Sequence, residues 1–558
     1  MSVQESVSLL WPAAVGAAAG GGLRPWWADL EVEPLAQALA YDGPSGHASR
    51  AVLAGLCSDG ETILYRQEIL ADLWADGQLR QGLADLLPAL HELDRVRVQA
   101  MRDEDNQLLQ VARRLRELEL YSDAACRLLS VLEAATLQST GLIRLRDALR
   151  QTCGSEDFRR LVSELPSLRA SMQKLSSISV GINLDDEGRP VAAVLLSVND
   201  QPYGSKLSLL ARLLGTGNRE AIAAGIAPLH QVAAQSPSPF LEHLFRDLAE
   251  VMRLVCRPIA QALSGYVHVA VTPLTSLAPE IAFYLGAVRL RERLHASGLP
   301  TCIPTLLPAE ARTTRLSGMY NVCLALRLLA KPPAAGMPAV PVPSDVNMGE
   351  DGRCFILTGP NLGGKTTYLQ AIGLTHVMAQ AGLFVPATAA EISPVDAIYT
   401  HFPAPEQPSK AMGRLGEEAQ RLAQIFEQAT PRSLILLNES LSSTSPGEAL
   451  YLARDVVSAL HLLGARSVFA THLHELANDL AGLSIATPHE PPVGSLVAGI
   501  RRGEERLDSA RLGRTYRIAP GPPEGKSYAQ EVAERHGISL AQLRRCLRRR
   551  GISDGDGS

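Results

Sequence analysis

Two short stretches carry residue types at a spacing that can do chemistry. Gly359 to Thr367 read GPNLGGKTT, an ungapped match to G-x-x-x-x-G-K-[ST] that follows the apolar run CFILT and opens a helical pattern. Gly359, Gly363 and Gly364 let backbone N–H groups close around phosphate oxygens, and the positive end of the following helix adds to the attraction. Lys365 would reach the β- and γ-phosphates, and Thr366 would offer its hydroxyl to Mg²⁺. Pro360, Asn361, Leu362 and Thr367 complete the loop. An accidental glycine turn carrying Lys-Thr is the bland alternative, and the flanking strand and helix argue against it. Further on, Leu434 to Ser440 read LILLNES, an apolar run that ends in Asn438 and Glu439. At such a strand end the first residue holds Mg²⁺ through a water and the second polarises the attacking water. The usual pair is Asp-Glu. Asn438 keeps an oxygen acceptor and loses one negative charge, so Mg²⁺ would be held less tightly while Glu439 keeps the more demanding task.

A third run, VFATHLHEL, offers an apolar strand that ends in Thr471-His472. A lone histidine after a strand is ordinarily a bystander. In this order of motifs it reads as a switch, its imidazole hydrogen-bonding the γ-phosphate or the attacking water. RLGEEAQRL (Arg414 to Leu422) sits one helix before the acidic strand and echoes the Leu-Ser-Gly-Gly-Gln signature of ABC-type ATPases. An amphipathic surface helix would read the same way.

The elements that must position these residues fall into two textures. From about Glu61 to Ser264, RQEILADLWADGQLRQGLADLLPALHEL and LLQVARRLRELELYSDAACRLLSVLEAA repeat apolar residues at three- and four-residue spacing, as does FLEHLFRDLAEVMRLVCRPIAQAL. Their apolar stripes predict core between long packed helices. SVGINLDDEGRPVAAVLLSV interrupts them with two β-prone runs around Asp-Glu-Gly, which predicts a hairpin near 178–198. After the proline-rich AKPPAAGMPAVPVPSD (Ala330 to Asp345), short apolar runs alternate with helical patterns. Strands hydrophobic throughout belong to a parallel sheet covered on both faces. The expected order is a poorly defined segment over 1–60, a helical domain over 61–330, a connection over 331–345, an α/β P-loop domain over 346–500 and a small helical segment over 501–558.

The bulk numbers are those of a globular protein. At 558 residues several cores are expected, and 20% charged residues with 46% hydrophobic ones exclude disorder. A net charge of -5 gives no whole-chain nucleic-acid signature, so any such contact must be local. The most basic run is LRRCLRRRG, whose Arg544, Arg545, Arg548, Arg549 and Arg550 suit either phosphate binding or a solvated helix end. With 4% aromatic residues a single-strand stacking platform is not expected. Eight scattered cysteines predict neither a zinc site nor a disulfide framework. Neither a signal peptide nor a membrane span is legible, which makes the cytoplasm the default.

Taken together, TGPNLGGKTTYLQAIGL, GLFVPATAAEISPVDAIYT, LILLNES with the nearby STS, and VFATHLHEL make the chain resemble the MutS family of DNA mismatch-repair ATPases. The resemblance is close from Val346 to Ala486, and the Pro-Asn of the phosphate loop and GLFVPA are more specific than a P-loop alone. It continues weakly through TYRIAPGPPEGKSYAQEVAERHGIS (Thr515 to Ser539), similar to the family's C-terminal helix-turn-helix dimerisation segment. The helical region is similar to the family's core and lever helices, and the hairpin to a shortened clamp.

The resemblance implies a homodimer with ATP and Mg²⁺ at the subunit interface, and a helical region that embraces DNA through its backbone according to nucleotide state. It assigns ATP binding and Mg²⁺ to Lys365 and Thr366, catalysis to Glu439 and the switch to His472. Gly413, Glu418, Ser443, Thr444 and Ser445 become candidates for the contact with the partner's nucleotide. Three departures stand out. No Phe-x-Glu mismatch wedge precedes the helical region, so mismatch reading of the usual kind is not expected. Asn438-Glu439 replaces Asp-Glu, and Leu441-Ser442-Ser443 replaces Gly-Arg-Gly. Gly413 stands where the family has the serine of its trans signature. The expected activity is slow ATP hydrolysis coupled to DNA engagement in repair or recombination; a nucleotide-gated scaffold with little turnover is the alternative.

Overall fold

The computed structural model describes residues 7–12, 25–43, 46–102, 107–173, 177–187, 190–199, 257, 259–266, 271–331, 338–403, 413–484, 491–500, 514–523 and 537–550. The chain divides into two compact units, one of Met1–Arg80, Leu137–Leu142 and Pro279–Ser558, the other of Gln81–Thr136 and Ile143–Ala278.

The first unit begins with helices α1 (Pro25–Asp29), α2 (Val32–Leu39), α3 (Gly46–Gly55) and α4 (Gly60–Ala75). Next in the chain come α5 (Gly77–Arg102), α6 (Gln107–Ala134), α7 (Thr140–Gly154), α8 (Glu156–Gln173) and the strands β1 (Ser177–Leu184) and β2 (Pro190–Asn199). The continuous apolar period through Arg66 to Leu93 is two helices, because Asp76 ends α4 and its Oδ1 accepts from Gln78 N at 2.8 Å and Leu79 N at 3.1 Å.

The second unit is helical. Leu86, Leu90 and Leu93 of α5 and Leu118, Leu128 and Leu132 of α6 are buried, as are Leu161 and Leu165 of α8. Tyr121 meets Phe158 edge-on with centroids 6.1 Å apart. Glu164 Oε2 accepts from Tyr266 Oη at 2.7 Å, and the Tyr266 carbonyl accepts from Arg114 Nη2 at 2.7 Å. β1 and β2 form an antiparallel hairpin from Ser177↔Asn199 to Leu184↔Pro190. Most of Phe240 to Leu263 lies outside the described residues.

The first unit resumes with α9 (Leu277–Ala296), β3 (Thr305–Leu306), β4 (Thr314–Met319), α10 (Val322–Ala330), β5 (Ser344–Met348) and β6 (Cys354–Thr358). Then follow α11 (Lys365–Gln380), β7 (Ala389–Ile392), β8 (Ile398–His401), α12 (Arg414–Gln428), β9 (Leu434–Asn438), α13 (Pro446–Leu463) and β10 (Arg466–Ala470). The last elements are α14 (His474–Asn478), β11 (Gly494–Ile500), β12 (Arg514–Pro520) and α15 (Leu540–Arg549). A six-stranded sheet runs β12-β11-β6-β10-β9-β8, parallel except for the antiparallel edge strand β12. β9 and β10 are buried at every residue, as strands covered on both faces must be. A second sheet runs β3-β7-β4-β5. Its β3–β7 and β4–β7 pairings stitch residues 305–319 to 389–392. That pairing is why residues 279–330, which the sequence reading grouped with the helices, belong to the unit of the sheets.

Two buried cations organise this unit. Arg466 donates to the carbonyls of Thr313, Ser393, Pro394 and Arg432 and to Thr314 Oγ1, and burial pulls its pKa down to about 9. Arg66 Nε donates to Leu10 O at 2.9 Å, while Glu280 accepts from Ser8 Oγ and Leu9 N and Tyr284 Oη donates to Leu9 O. Buried side chains thus satisfy the backbone of an N-terminal strap.

The segment similar to a dimerisation helix-turn-helix is different at its start. Thr515 to Pro520 lie in β12 and close the six-stranded sheet. Residues 524–536 lie outside the described ones. In and after α15, Arg544, Arg545, Arg549 and Arg550 are exposed, and the side chain of Arg548 lies outside those described.

Candidate nucleotide site

Parallel register brings three strand ends into one row. Ala470 pairs with Leu357 on one side and with Asn438 on the other. The next residues along each strand are Thr358-Gly359, Glu439 and Thr471-His472. Side chains far apart in sequence therefore converge at the carboxyl edge of the sheet, where ligands of open α/β folds bind.

The phosphate loop is built for close approach. Gly359 has φ 136° and Gly364 φ 98°, conformations that favour glycine. A Cβ on Gly359 would stand 2.7 Å from Ala498 Cβ, and one on Gly363 would stand 2.9 Å from Pro360 O. Leu362 also takes a positive φ, 60°, and its side chain is exposed. Lys365 is buried and folded back, its Nζ donating to Gly359 O at 2.8 Å and Pro360 O at 3.2 Å. Burial lowers its pKa, opposed by the charge of Glu439.

The metal candidates lie beside it. Thr366 Oγ1 donates to Asn438 Oδ1 over 3.4 Å or accepts from Asn438 Nδ2 over 3.2 Å. These oxygens suit a hard cation such as Mg²⁺ that keeps several waters. Among the described residues no group of three or more His, Cys, Asp or Glu stands ready for a metal, and their cysteines are free.

Glu439 and His472 form a pair. His472 Nε2 lies 2.7 Å from Glu439 Oε1, and both side chains are part-exposed. That hydrogen bond, then the charges of His472 and Lys365, hold the Glu439 carboxyl below its usual range against the opposing effect of burial. Glu439 is therefore an ionised acceptor at neutral pH.

The loop, Glu439 and a largely apolar wall enclose a cavity of about 760 Å³. That wall includes Tyr320, Leu324, Val340, Val342 and Tyr516. None of these stands out in the sequence. Val340 and Val342 belong to the stretch read as a connection, and Tyr516 to the one read as dimerisation segment. Their signal is weak: isolated apolar residues without a period. Tyr516 has φ 55°, and a Cβ on Gly364 would lie 3.6 Å from its carbonyl oxygen.

The trans-interface candidates are not gathered at this cavity. Gly413 precedes α12 with extended backbone, and Glu418 lies on α12 with Arg414 at 3.7 Å. Ser443 Oγ is buried, with no hydrogen-bond partner among the described residues. Thr444 and Ser445 cap α13: Thr444 Oγ1 and Ser445 Oγ both donate to Glu448 Oε2, and Ser445 Oγ accepts from Glu448 N. This is a capping box written as S-P-G-E in the sequence.

Comparison with known proteins bears on both units. A family model described as MutS domain V matches residues 355–538, and one described as the MutS2 N-terminal domain matches residues 58–297. An Endonuclease MutS2 of Thermomicrobium roseum is 31% identical over 294 residues, covering 52% of this chain and 34% of that protein. A DNA mismatch repair protein MutS of Rhodopirellula baltica is 36% identical over 201 residues, 36% of this chain and 21% of its own. A DNA mismatch repair protein MutS 2 of Halobacterium salinarum is 40% identical over 139 residues, covering 25% and 16%. The chain thus aligns with about a third or less of each of these relatives. No helix among the described residues is long and apolar enough to cross a membrane.

Proposed function

We propose that this chain, which belongs to the MutS family, binds and hydrolyses ATP and couples its nucleotide state to DNA engagement. One observation carries the reading. The ends of β6, β9 and β10 set a phosphate loop, Asn438-Glu439 and His472 in one row, with the loop and Glu439 lining a cavity of about 760 Å³ and His472 hydrogen-bonded to Glu439. Strand ends that serve only packing have no use for a buried lysine, an ionised glutamate and a histidine on one edge.

The chemistry is phosphoryl transfer to water, driven by positioning and charge stabilisation. Lys365 exchanges its carbonyl partners in the loop for phosphate oxygens. Bound Mg²⁺ supplies charge neutralisation to the phosphates, and Thr366 with Asn438 would hold it, the latter through a water. Glu439 accepts a hydrogen bond from the attacking water, and His472 fixes the carboxylate that does so. Tyr516, Val340 and Val342 offer an aromatic and apolar surface to the base. By analogy with the family, two copies close over two nucleotides, with Gly413, Glu418 and the Ser443–Ser445 loop facing the partner's site. DNA is held through its backbone without mismatch reading.

A second reading, a nucleotide-gated scaffold with little turnover, is favoured by Asn438, which lacks the charge of an aspartate. The test of the coupling is DNA binding with and without ATP, on homoduplex, mismatched and branched duplexes. Binding that changes with ATP supports the proposal, and equal affinity for mismatch and homoduplex supports backbone contact. Absence of binding to every duplex would remove DNA from it.

A further inference from the structure

Ser440, the last residue of LILLNES, has no part in the chemistry above, yet it sits where that chemistry is aimed. It lies between two non-glycine residues in the left-handed region, Glu439 at φ 50° and Leu441 at φ 66°. Such backbone is costly, and it persists only where surrounding contacts over-determine it. Three contacts hold this turn. Glu439 N donates to Ala470 O at 2.8 Å. Leu441 is buried in the core that also takes Leu422 and Ile425 of α12. Between them, Ser440 Oγ is 2.7 Å from His401 Nδ1 and 3.4 Å from His401 O.

His401 is the last residue of β8 and pairs in the ladder with Leu437. Its ring reaches past that partner to the residue after the glutamate. The imidazole is only 2% exposed, and Ser440 is its one side-chain hydrogen-bond partner among the described residues. Burial, and then the charge of Arg421, bring its pKa down to about 4, so the ring is neutral. A neutral imidazole buried for a single hydrogen bond is poor core material compared with leucine or phenylalanine. The bond to the strained turn gives it a use.

We propose that His401 and Ser440 are a positioning pair for ATP hydrolysis: the ring pins the turn at 439–441 and so sets the Glu439 carboxylate. This rests on the reading of Glu439 as the group that polarises the attacking water. Neither residue touches the nucleotide cavity, so nucleotide affinity is independent of the pair.

The test is steady-state ATP hydrolysis by the full chain, with binding of a fluorescent ATP analogue measured beside it. The variants are Ser440→Ala, His401→Leu, both together, and His401→Asn, whose amide replaces Nδ1. The two single substitutions should each lower kcat about tenfold at unchanged analogue affinity, since a small misplacement of a reacting group is enough for that. The double variant should be no slower than either single one, and His401→Asn should stay within about threefold of wild type. Unchanged kcat in Ser440→Ala, additive losses in the double variant, or no rescue by His401→Asn would each overturn the pairing. Wild-type turnover no faster than that of Glu439→Gln would overturn the ATPase reading and the pair with it.

Discussion

The two walls of the cavity solve one problem with different residues. Both bend backbone into the left-handed region. The phosphate loop does so mainly with Gly359 and Gly364, which adopt it at little cost, leaving Leu362 as the exception. The turn after β9 does so with Glu439 and Leu441, neither of them glycine. The loop is therefore shaped by its own sequence and pre-organised for phosphate. The turn is shaped by neighbours: Ala470, His401 and the core around Leu441. Phosphate binding should be robust to changes outside the loop, whereas catalysis should be sensitive to residues well away from the nucleotide.

Four substitutions break or sharpen that contrast. The largest effect belongs to the loop: Lys365→Ala should weaken ATP binding by about a hundredfold or more and remove turnover, measured by titration and by phosphate release. On the other wall, His472→Ala should lower kcat by roughly tenfold while ATP binding persists. It also removes the main cause that depresses the Glu439 pKa. A carboxylate whose pKa is depressed stays ionised until the pH falls through that lowered value. In His472→Ala turnover should therefore begin to fail at a higher pH, visible as a shifted acid limb of the pH–rate profile. An unmoved limb would separate the histidine from the glutamate.

Asn438→Asp restores one negative charge beside Thr366 and should reduce the Mg²⁺ concentration for half-maximal turnover a few-fold, roughly what one added ligand charge does. An unchanged Mg²⁺ requirement would refute the account of Asn438. The smallest effect is structural. Ser445→Ala removes the hydroxyl that caps α13 and should lower the melting temperature by about 2 °C.

How much of this was legible follows from the range of the interactions. GPNLGGKTT is a local motif, so its strand, loop and helix could be placed from nine residues and their flanks. The apolar runs of β9 and β10 were legible because both faces are buried and nothing interrupts them. The helical period was legible too, but it could not show that Asp76 divides Arg66 to Leu93 into two helices, since both halves keep the same spacing. The capping box of Ser445 and Glu448 is local in sequence, but hydroxyls at these positions suit an interface equally well, so the pattern S-P-G-E alone does not choose between the two. Two features depend on strand adjacency and had no local signal. One is the assignment of residues 279–330 to the unit of the sheets, which pairing with Ala389–Ile392 decides. The other is the contact between His401 and Ser440, 39 residues apart in sequence, which exists only because β8 lies beside β9 in one register.

The central claim is that Glu439 sits at a working hydrolytic centre despite the asparagine before it. Steady-state ATP hydrolysis by the wild-type chain, beside a Glu439→Gln variant at saturating Mg²⁺ and ATP, tests it most directly. The account predicts slow turnover in the wild type that exceeds the variant's by about tenfold or more, with ATP binding retained in both. Equal rates in the two proteins would contradict it and leave a nucleotide-gated binding protein.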